Sequence, residues 1–183
     1  MSPRVALVVG TAATQSPDVL AARLRGLLRV GWDARLLGNG EGWAGHPAWR
    51  DPALADRVEH VPPGQRRLPP RPLLRRPAGL AGYLGAPGEP GPFDRRLLEL
   101  RPDLVHFHSG ATAWKAMRLK RLLGCRVAIS FREDGHDLDN HGLEALWEGA
   151  ELLLFPDAAV LERAVALGCR RERAEVLPAP LWA

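Results

Sequence analysis

The chain has 183 residues, of which 46% are hydrophobic and 25% charged; that length fits one domain and buries a core without staples. The formal charge is +4, carried almost wholly by arginine, since Lys115 and Lys120 are the only lysines. Two cysteines, Cys125 and Cys169, form neither a disulfide framework nor a metal pattern, and no apolar run reaches the length of a membrane-spanning helix.

The arginine excess has two readings: a base-composition bias, or an anionic partner such as a membrane surface, a phosphorylated acceptor or nucleic acid. The cysteines read as buried thiols in a reducing compartment. The amino terminus lacks the apolar length and cleavage pattern of a signal peptide. The expected location is therefore cytoplasmic, with peripheral contact at the inner face of a membrane.

Val5 to Val9 is a continuous apolar run, which suits a strand buried on both faces. Ser16 then reads as the N-cap of a helix with Pro17 at its first position, and Val19, Leu20, Leu24, Leu27 and Leu28 recur at helical spacing. Gly31 ends that helix, and Trp32 to Leu37 reads as a second strand. Gly38 to Pro52 reads as a turn-rich loop holding Trp43 and Trp49, and Val58 to Val61 as a third strand. Pro62 to Pro92 is dense in Pro, Arg and Gly and reads as an excursion with one helical stretch at Leu73 to Leu84.

Asp94 to Leu100 reads as a short helix stopped before Pro102. A strand follows at Leu104 to Phe107, a helix at Ala111 to Leu123 ended by Gly124, and a strand at Arg126 to Phe131. A short helix is expected at Leu143 to Trp147, a strand at Leu152 to Phe155, and a helix capped by Asp157 running through Leu167. Ala174 to Leu177 closes the series as a strand. Strands alternating with helices of this length predict an α/β fold: a single Rossmann-like three-layer domain with a mostly parallel sheet.

Open parallel sheets bind ligands beyond the carboxyl ends of their strands, and those ends carry most of the chemistry here. The loop after the first strand has Gly10 but no Gly-x-Gly-x-x-Gly, which argues against a dinucleotide site. Thr11 and Thr14 can position a hydroxylated or anionic ligand at a helix N-terminus, while Ser16 reads as ordinary capping. His106 and His108 sit two apart at a strand end and so point the same way. Either they join a metal centre with the His136–His141 segment, or one bonds within the sheet while the other faces a sugar or phosphate. No spacing matches a zinc signature, so no metal and no cofactor is expected. Ser109 follows His108, but the nucleophile elbow of hydrolases is absent. Arg132 stands at a strand end, where its planar fork grips a phosphate or carboxylate, or else pairs with Glu133 or Asp134.

Four stretches together resemble the family 4, or "group 1", glycosyltransferases. Leu100 to His108 resembles their xPDxVHxH segment, and Val127 to Asp137 their xVxSFHGxD or xVxSFRGxD segment. Ala150 to Pro156 resembles ADLVLxxS, and Ala166 to Cys169 with Val176 to Pro178 resembles ALGCPxxKIxVLPNG. Order and spacing agree from residue 4 to about 178, most weakly across residues 40 to 92. The sequence departs from the pattern in three places. Thr11-Ala12-Ala13-Thr14 replaces a double-glycine loop, the segment after Arg132 is longer, and Pro178-Ala179-Pro180 stands for Pro-Asn-Gly.

The resemblance implies the N-terminal, acceptor-side half of a GT-B enzyme, whose C-terminal domain binds the sugar nucleotide and carries paired glutamates. Such enzymes usually retain anomeric configuration and need no metal. Carried over by position, Arg132, His108 and Asp137 are the catalytic candidates, and Thr11, Thr14, His106, Ser109 and His136 the acceptor-binding ones. Arg132 stands where many relatives have a histidine near the reacting sugar, and Asp134 is the second candidate for the aspartate. The implied partners are a glycan or lipid-linked acceptor, a donor-domain polypeptide and an anionic membrane touched by Arg66 to Arg76; nucleic acid is not among them. Without a donor domain the 183-residue chain is expected to show no turnover. The alternative is a non-catalytic module that binds a carbohydrate, a lipid head group or a protein.

Overall fold

A computed structural model describes residues 2–10, 16–38, 45–61, 92–132, 135–139 and 143–177. The expected helix at Leu73 to Leu84 lies outside these residues, as do Thr11, Thr14, Glu133 and Asp134. Seven strands form one sheet: β1 (Arg4–Val9), β2 (Asp33–Gly38), β3 (Val58–His60), β4 (Leu104–Phe107), β5 (Arg126–Ser130), β6 (Leu152–Phe155) and β7 (Ala174–Val176). Every pairing is parallel and the order is β3-β2-β1-β4-β5-β6-β7, so the sheet is wholly parallel among the described strands.

Among the described residues six helices flank it: α1 (Pro17–Arg29), α2 (Pro52–Ala55), α3 (Pro92–Leu100), α4 (Gly110–Leu123), α5 (Leu143–Gly149) and α6 (Ala158–Ala166). Side chains alternate along a strand, so β1 feeds two cores at once. Val5, Leu7 and Val9 pack with Leu20 and Leu24 of α1, Leu54 of α2 and Trp49. Ala6 and Val8 pack on the other face with Leu97 of α3, Ala113 of α4, Leu146 and Trp147 of α5, and Val160 and Leu161 of α6. That double burial is why β1 reads as an unbroken apolar run.

The helix ends follow local chemistry. Ser16 Oγ accepts the Val19 N–H at 3.3 Å and Asp157 Oδ1 accepts that of Val160 at 2.8 Å. Gly124 closes α4 in the left-handed region, at φ 63°, where a Cβ would be strained. Within the segment expected as a loop from Gly38 to Pro52, the described residues 45–52 carry more order than their composition suggests. A 3-10 turn spans Pro47–Arg50 and is followed by α2, their N-caps being His46 and Asp51. Trp49 of that turn is buried against α1, which supplies the driving force that Gly and Pro content conceals.

Candidate functional site

The chain runs outward from β1 to β2 and β3, then returns to place β4 on the other side of β1. The β1/β4 boundary is thus the point where strand order reverses, and open parallel sheets bind ligands beyond the carboxyl ends of the strands at such a point. Val105 and Phe107 of β4 belong to the core under α3 to α6, so His106 and His108 project to the α1 side. Their rings lie 4.3 Å apart between centroids at an interplanar angle of 32°. His106 Nε2 is 2.8 Å from Ser130 Oγ on the adjacent strand β5. The His108 ring is met from the opposite layer by Arg23 of α1, whose Nη1 is 3.0 Å from His108 Nδ1.

Enclosure sets the charge state of this row. Burial, and after it the Arg23 charge, push the His106 pKa down to about 3. Burial, the neighbouring His106 and Arg23 together hold His108 well below the usual imidazole range. Burial also draws the Arg23 guanidinium down to about 10, which leaves it charged at neutral pH. The row therefore holds one cation and two neutral rings. The two rings differ in exposure: His108 is 2% exposed, its ring held against Arg23 and His106 inside the fold, whereas His106 is half-buried.

Ser109 is 1% exposed and serves as the N-cap of α4, its Oγ accepting the Thr112 N–H at 3.2 Å and lying 2.9 Å from Thr112 Oγ1. The first turn of α4 presses on the end of β1, and Gly10 is the residue that permits this: a Cβ there would collide with Thr112 Oγ1. Gly110 does the same for β5, since its Cβ would stand 3.1 Å from Phe131 and 3.4 Å from Asp137 Cβ.

Asp137 is 2% exposed. Its Oδ2 accepts the Arg132 main-chain N–H at 3.2 Å and its Oδ1 that of Ala111 at 3.4 Å. The carboxylate thus ties the start of α4 to the exit of β5, near the positive end of the helix dipole. Phe131 anchors the same exit by stacking on Phe155 at 4.7 Å and lying 5.5 Å from Trp147. Between these two holds sits half-buried Arg132. His136 is exposed, with Nδ1 3.2 Å from Asp139 Oδ2 on its own 3-10 turn, and Asp139 also meets Arg163 at 3.5 Å.

The structure thus brings His106, His108 and Ser109 together at the end of β4, and braces Arg132 with Asp137 at the end of β5. Arg23 and Ser130 are members of the cluster that reading the sequence missed. A signal for Arg23 exists: it lies four residues after Val19 and three after Leu20, on the apolar stripe of α1, where a charge calls for explanation. Among the described residues, no group of three or more His, Cys, Asp or Glu is placed to hold a metal ion. An open concavity of about 700 Å³ lies at the other end of the sheet, lined by Arg4, Arg101, Asp103 and Arg126. It is remote from the reversal point and holds no histidine.

The sequence pattern of the glycosyl transferase 4-like domain matches residues 18–180. No curated protein matches the chain. Among solved structures, the lipopolysaccharide outer core galactosyltransferase WaaB superposes with a TM-score of 0.60 at 14% identity, over 96% of this chain and 45% of that one. MurG of Acinetobacter baumannii gives 0.57 at 15% identity, over 96% and 45%. A sucrose-phosphate synthase chain from Thermosynechococcus elongatus gives 0.55 at 14% identity, over 96% and 88%. The chain spans a little under half the length of the first structures it matches, 48% and 44%. At these identities the superpositions speak for the fold, and the family assignment rests on the sequence pattern. The chain belongs to the glycosyl transferase 4-like domain family, as an N-terminal domain of the GT-B glycosyltransferase fold.

Proposed function

We propose that this domain is the acceptor-side half of a glycosyltransferase that moves a sugar from a nucleotide-sugar to a glycan or lipid-linked acceptor. The observation that carries the reading is where buried polarity collects. His108, Ser109, Ser130 and Asp137 all lie at the carboxyl ends of β4 and β5, beside the strand-order reversal, with Arg132 among them. Sugar transfer needs an acceptor hydroxyl held in line with the anomeric carbon while the bond to the diphosphate breaks and its charge is stabilised; positioning and electrostatics supply most of that rate. Arg132, braced through its own main chain by Asp137, is the residue for the electrostatic part. The histidine row and the first turn of α4 form the wall behind the acceptor.

The leaving nucleotide belongs to a donor domain, on the same polypeptide or another, and the reaction retains anomeric configuration without a metal. HepE of Anabaena, a structural match at 13% identity, was crystallised with UDP and glucose, which makes a uridine diphosphate sugar the first donor to try. The domain works on the cytoplasmic side, with Arg66 to Arg76 against anionic lipid when the acceptor is lipid-linked.

The test is sugar transfer from UDP-glucose, with the purified chain alone and with a donor-domain polypeptide. The chain alone shows no turnover, and the complemented enzyme loses about 100-fold in kcat when Arg132 becomes Ala. Turnover by the chain alone, or an Arg132→Ala enzyme of full activity, overturns the reading. An acceptor that binds and is never glycosylated in the complemented enzyme replaces it with a non-catalytic binding module.

A further inference from the structure

The Arg23–His108 contact determines more than packing. A guanidinium carries five N–H donors and no acceptor, so at 3.0 Å from Nδ1 it donates, and Nδ1 must present its lone pair. The neutral Nδ1–H ring and the doubly protonated ring would each set two N–H groups face to face inside the fold. One ring state is left, with the proton on Nε2. Turning the ring over does not escape this choice, because a flip takes Nδ1 away from Arg23 and puts a carbon in its place.

The ring is also held in place. The His108 main-chain N–H donates to Val8 O of β1 at 3.0 Å, which fixes the residue at the strand end. His106 lies against the ring at 4.3 Å and is itself bonded to Ser130, so the stack is bounded on both sides. We propose that Arg23 is a positioning residue that locks His108 in the Nε2–H tautomer by donating to Nδ1.

On the reading proposed above, this assigns His108 a role. Its one lone-pair nitrogen is committed to Arg23, so His108 is not the base that takes the acceptor's proton; it enters as a fixed neutral ring within the wall of the site. Sequence position alone places Arg23 outside the chemistry, on a helix of the opposite layer.

The experiment is a long-range proton–nitrogen correlation spectrum of the imidazoles at pH 7, on the full chain, with no sugar present. In the wild type His108 carries its proton on Nε2, and a scalar coupling crosses the hydrogen bond to Arg23 when guanidinium rotation is slowed by cooling. In Arg23→Met, which keeps bulk and removes the donor, the ratio of the two tautomers moves toward Nδ1–H by about tenfold or more, the weight of one charge-assisted bond. Arg23→Lys, which still donates, restores the Nε2–H form. A wild-type ring protonated on Nδ1, an absent coupling, or an Arg23→Met spectrum identical to wild type overturns the proposal. If Arg23→Met fails to fold, the wild-type tautomer and the coupling decide the matter. Failure of sugar transfer leaves these spectra unchanged, so the two ideas fall separately.

Discussion

The two ends of the sheet are made from similar residue types and are built on opposite terms. At the amino ends, charges pair near water. Arg4 meets Asp103 at 3.8 Å with side chains 46% and 59% exposed, Arg57 meets Asp33, and Lys120 meets Glu151. At the carboxyl ends polarity is taken inside. Of the five buried polar or charged residues among those described, four, namely His108, Ser109, Ser130 and Asp137, lie there. Burying a polar group costs free energy unless it is well bonded, so an end that concentrates such groups is held by bonds that cannot be traded for water. The amino ends can lose a partner and let water in; the carboxyl ends cannot.

The largest expected effect follows from Asp137. Asp137→Ala leaves the main-chain N–H groups of Ala111 and Arg132 inside the fold without their acceptor. Each charge-assisted bond is worth roughly 1.5 to 3 kcal/mol, so a loss of about 3 kcal/mol is expected in urea unfolding. A loss below about 1 kcal/mol would place the two ends on equal terms and break the comparison.

Acid comes next. The His106 pKa in the folded chain is about 3, against roughly 6.5 for an ordinary histidine. Between those values the unfolded chain takes up a proton that the folded one refuses. Stability therefore falls as pH drops below about 6.5, and above that it owes nothing to this group; at pH 5 the His106 loss is about 2 kcal/mol. His108, depressed in the same direction, adds to it. The acids of the other end act lower. Burial pushes Glu151 up, but the Lys120 bond and the Val127 N–H outweigh it, so its contribution is lost only below the ordinary glutamate range. Urea midpoints at pH 7 and pH 5, in wild type and His106→Gln, measure the difference. A wild-type midpoint unchanged between the two pH values removes the buried-row account.

Gly10→Ala is a steric test of the same end. Its Cβ meets Thr112 Oγ1 in the first turn of α4, and overpacking of this kind costs about 1 to 3 kcal/mol. Thr112→Ala removes the obstructing oxygen, so the double variant should recover most of that loss. Equal losses in the two backgrounds would mean that the contact between α4 and β1 is looser than described.

What was legible in the sequence divides along the same line. The amphipathic and doubly buried elements were readable because their causes are local: the apolar run of β1, the Ser16-Pro17 start of α1, the Asp157 cap, Gly124 after α4. The strand after α1 starts at Asp33, one residue after the expected Trp32, because an apolar residue at a strand entrance looks like the strand itself. The turn at Pro47–Arg50 and helix α2 were hidden by Gly and Pro, although His46-Pro47 and Asp51-Pro52 repeat the cap-then-proline signal of Ser16-Pro17. Of the cluster at the carboxyl ends, His106, His108, Ser109 and Arg132 are legible because they follow the ends of parallel strands. Arg23 escaped because its partner lies 85 positions away in another layer. Asp137 was found for its place in a motif, whereas its two bonds to main-chain N–H groups emerge only when β5 and α4 are side by side.

The smallest effect belongs to the amino ends. Asp103 accepts the Arg4 main-chain N–H at 2.8 Å, and its Oδ2 lies 3.8 Å from Arg4 Nε, in a side chain that is 59% exposed. By inventory this resembles Asp137: one carboxylate with a main-chain donor and an arginine nearby. The difference is water. When Asp103 is removed, the Arg4 N–H and guanidinium are solvated where they stand, so Asp103→Ala should cost no more than about 1 kcal/mol, and less as salt screens the pair. Urea midpoints for Asp103→Ala and Asp137→Ala, each at low and high ionic strength, set the two carboxylates against each other. A salt-dependent loss at Asp103 beside a larger, salt-insensitive one at Asp137 is the signature of one end built on solvent and the other on enclosure. A loss at Asp103 that matches Asp137 in size and ignores salt would show that solvent access is not what separates them.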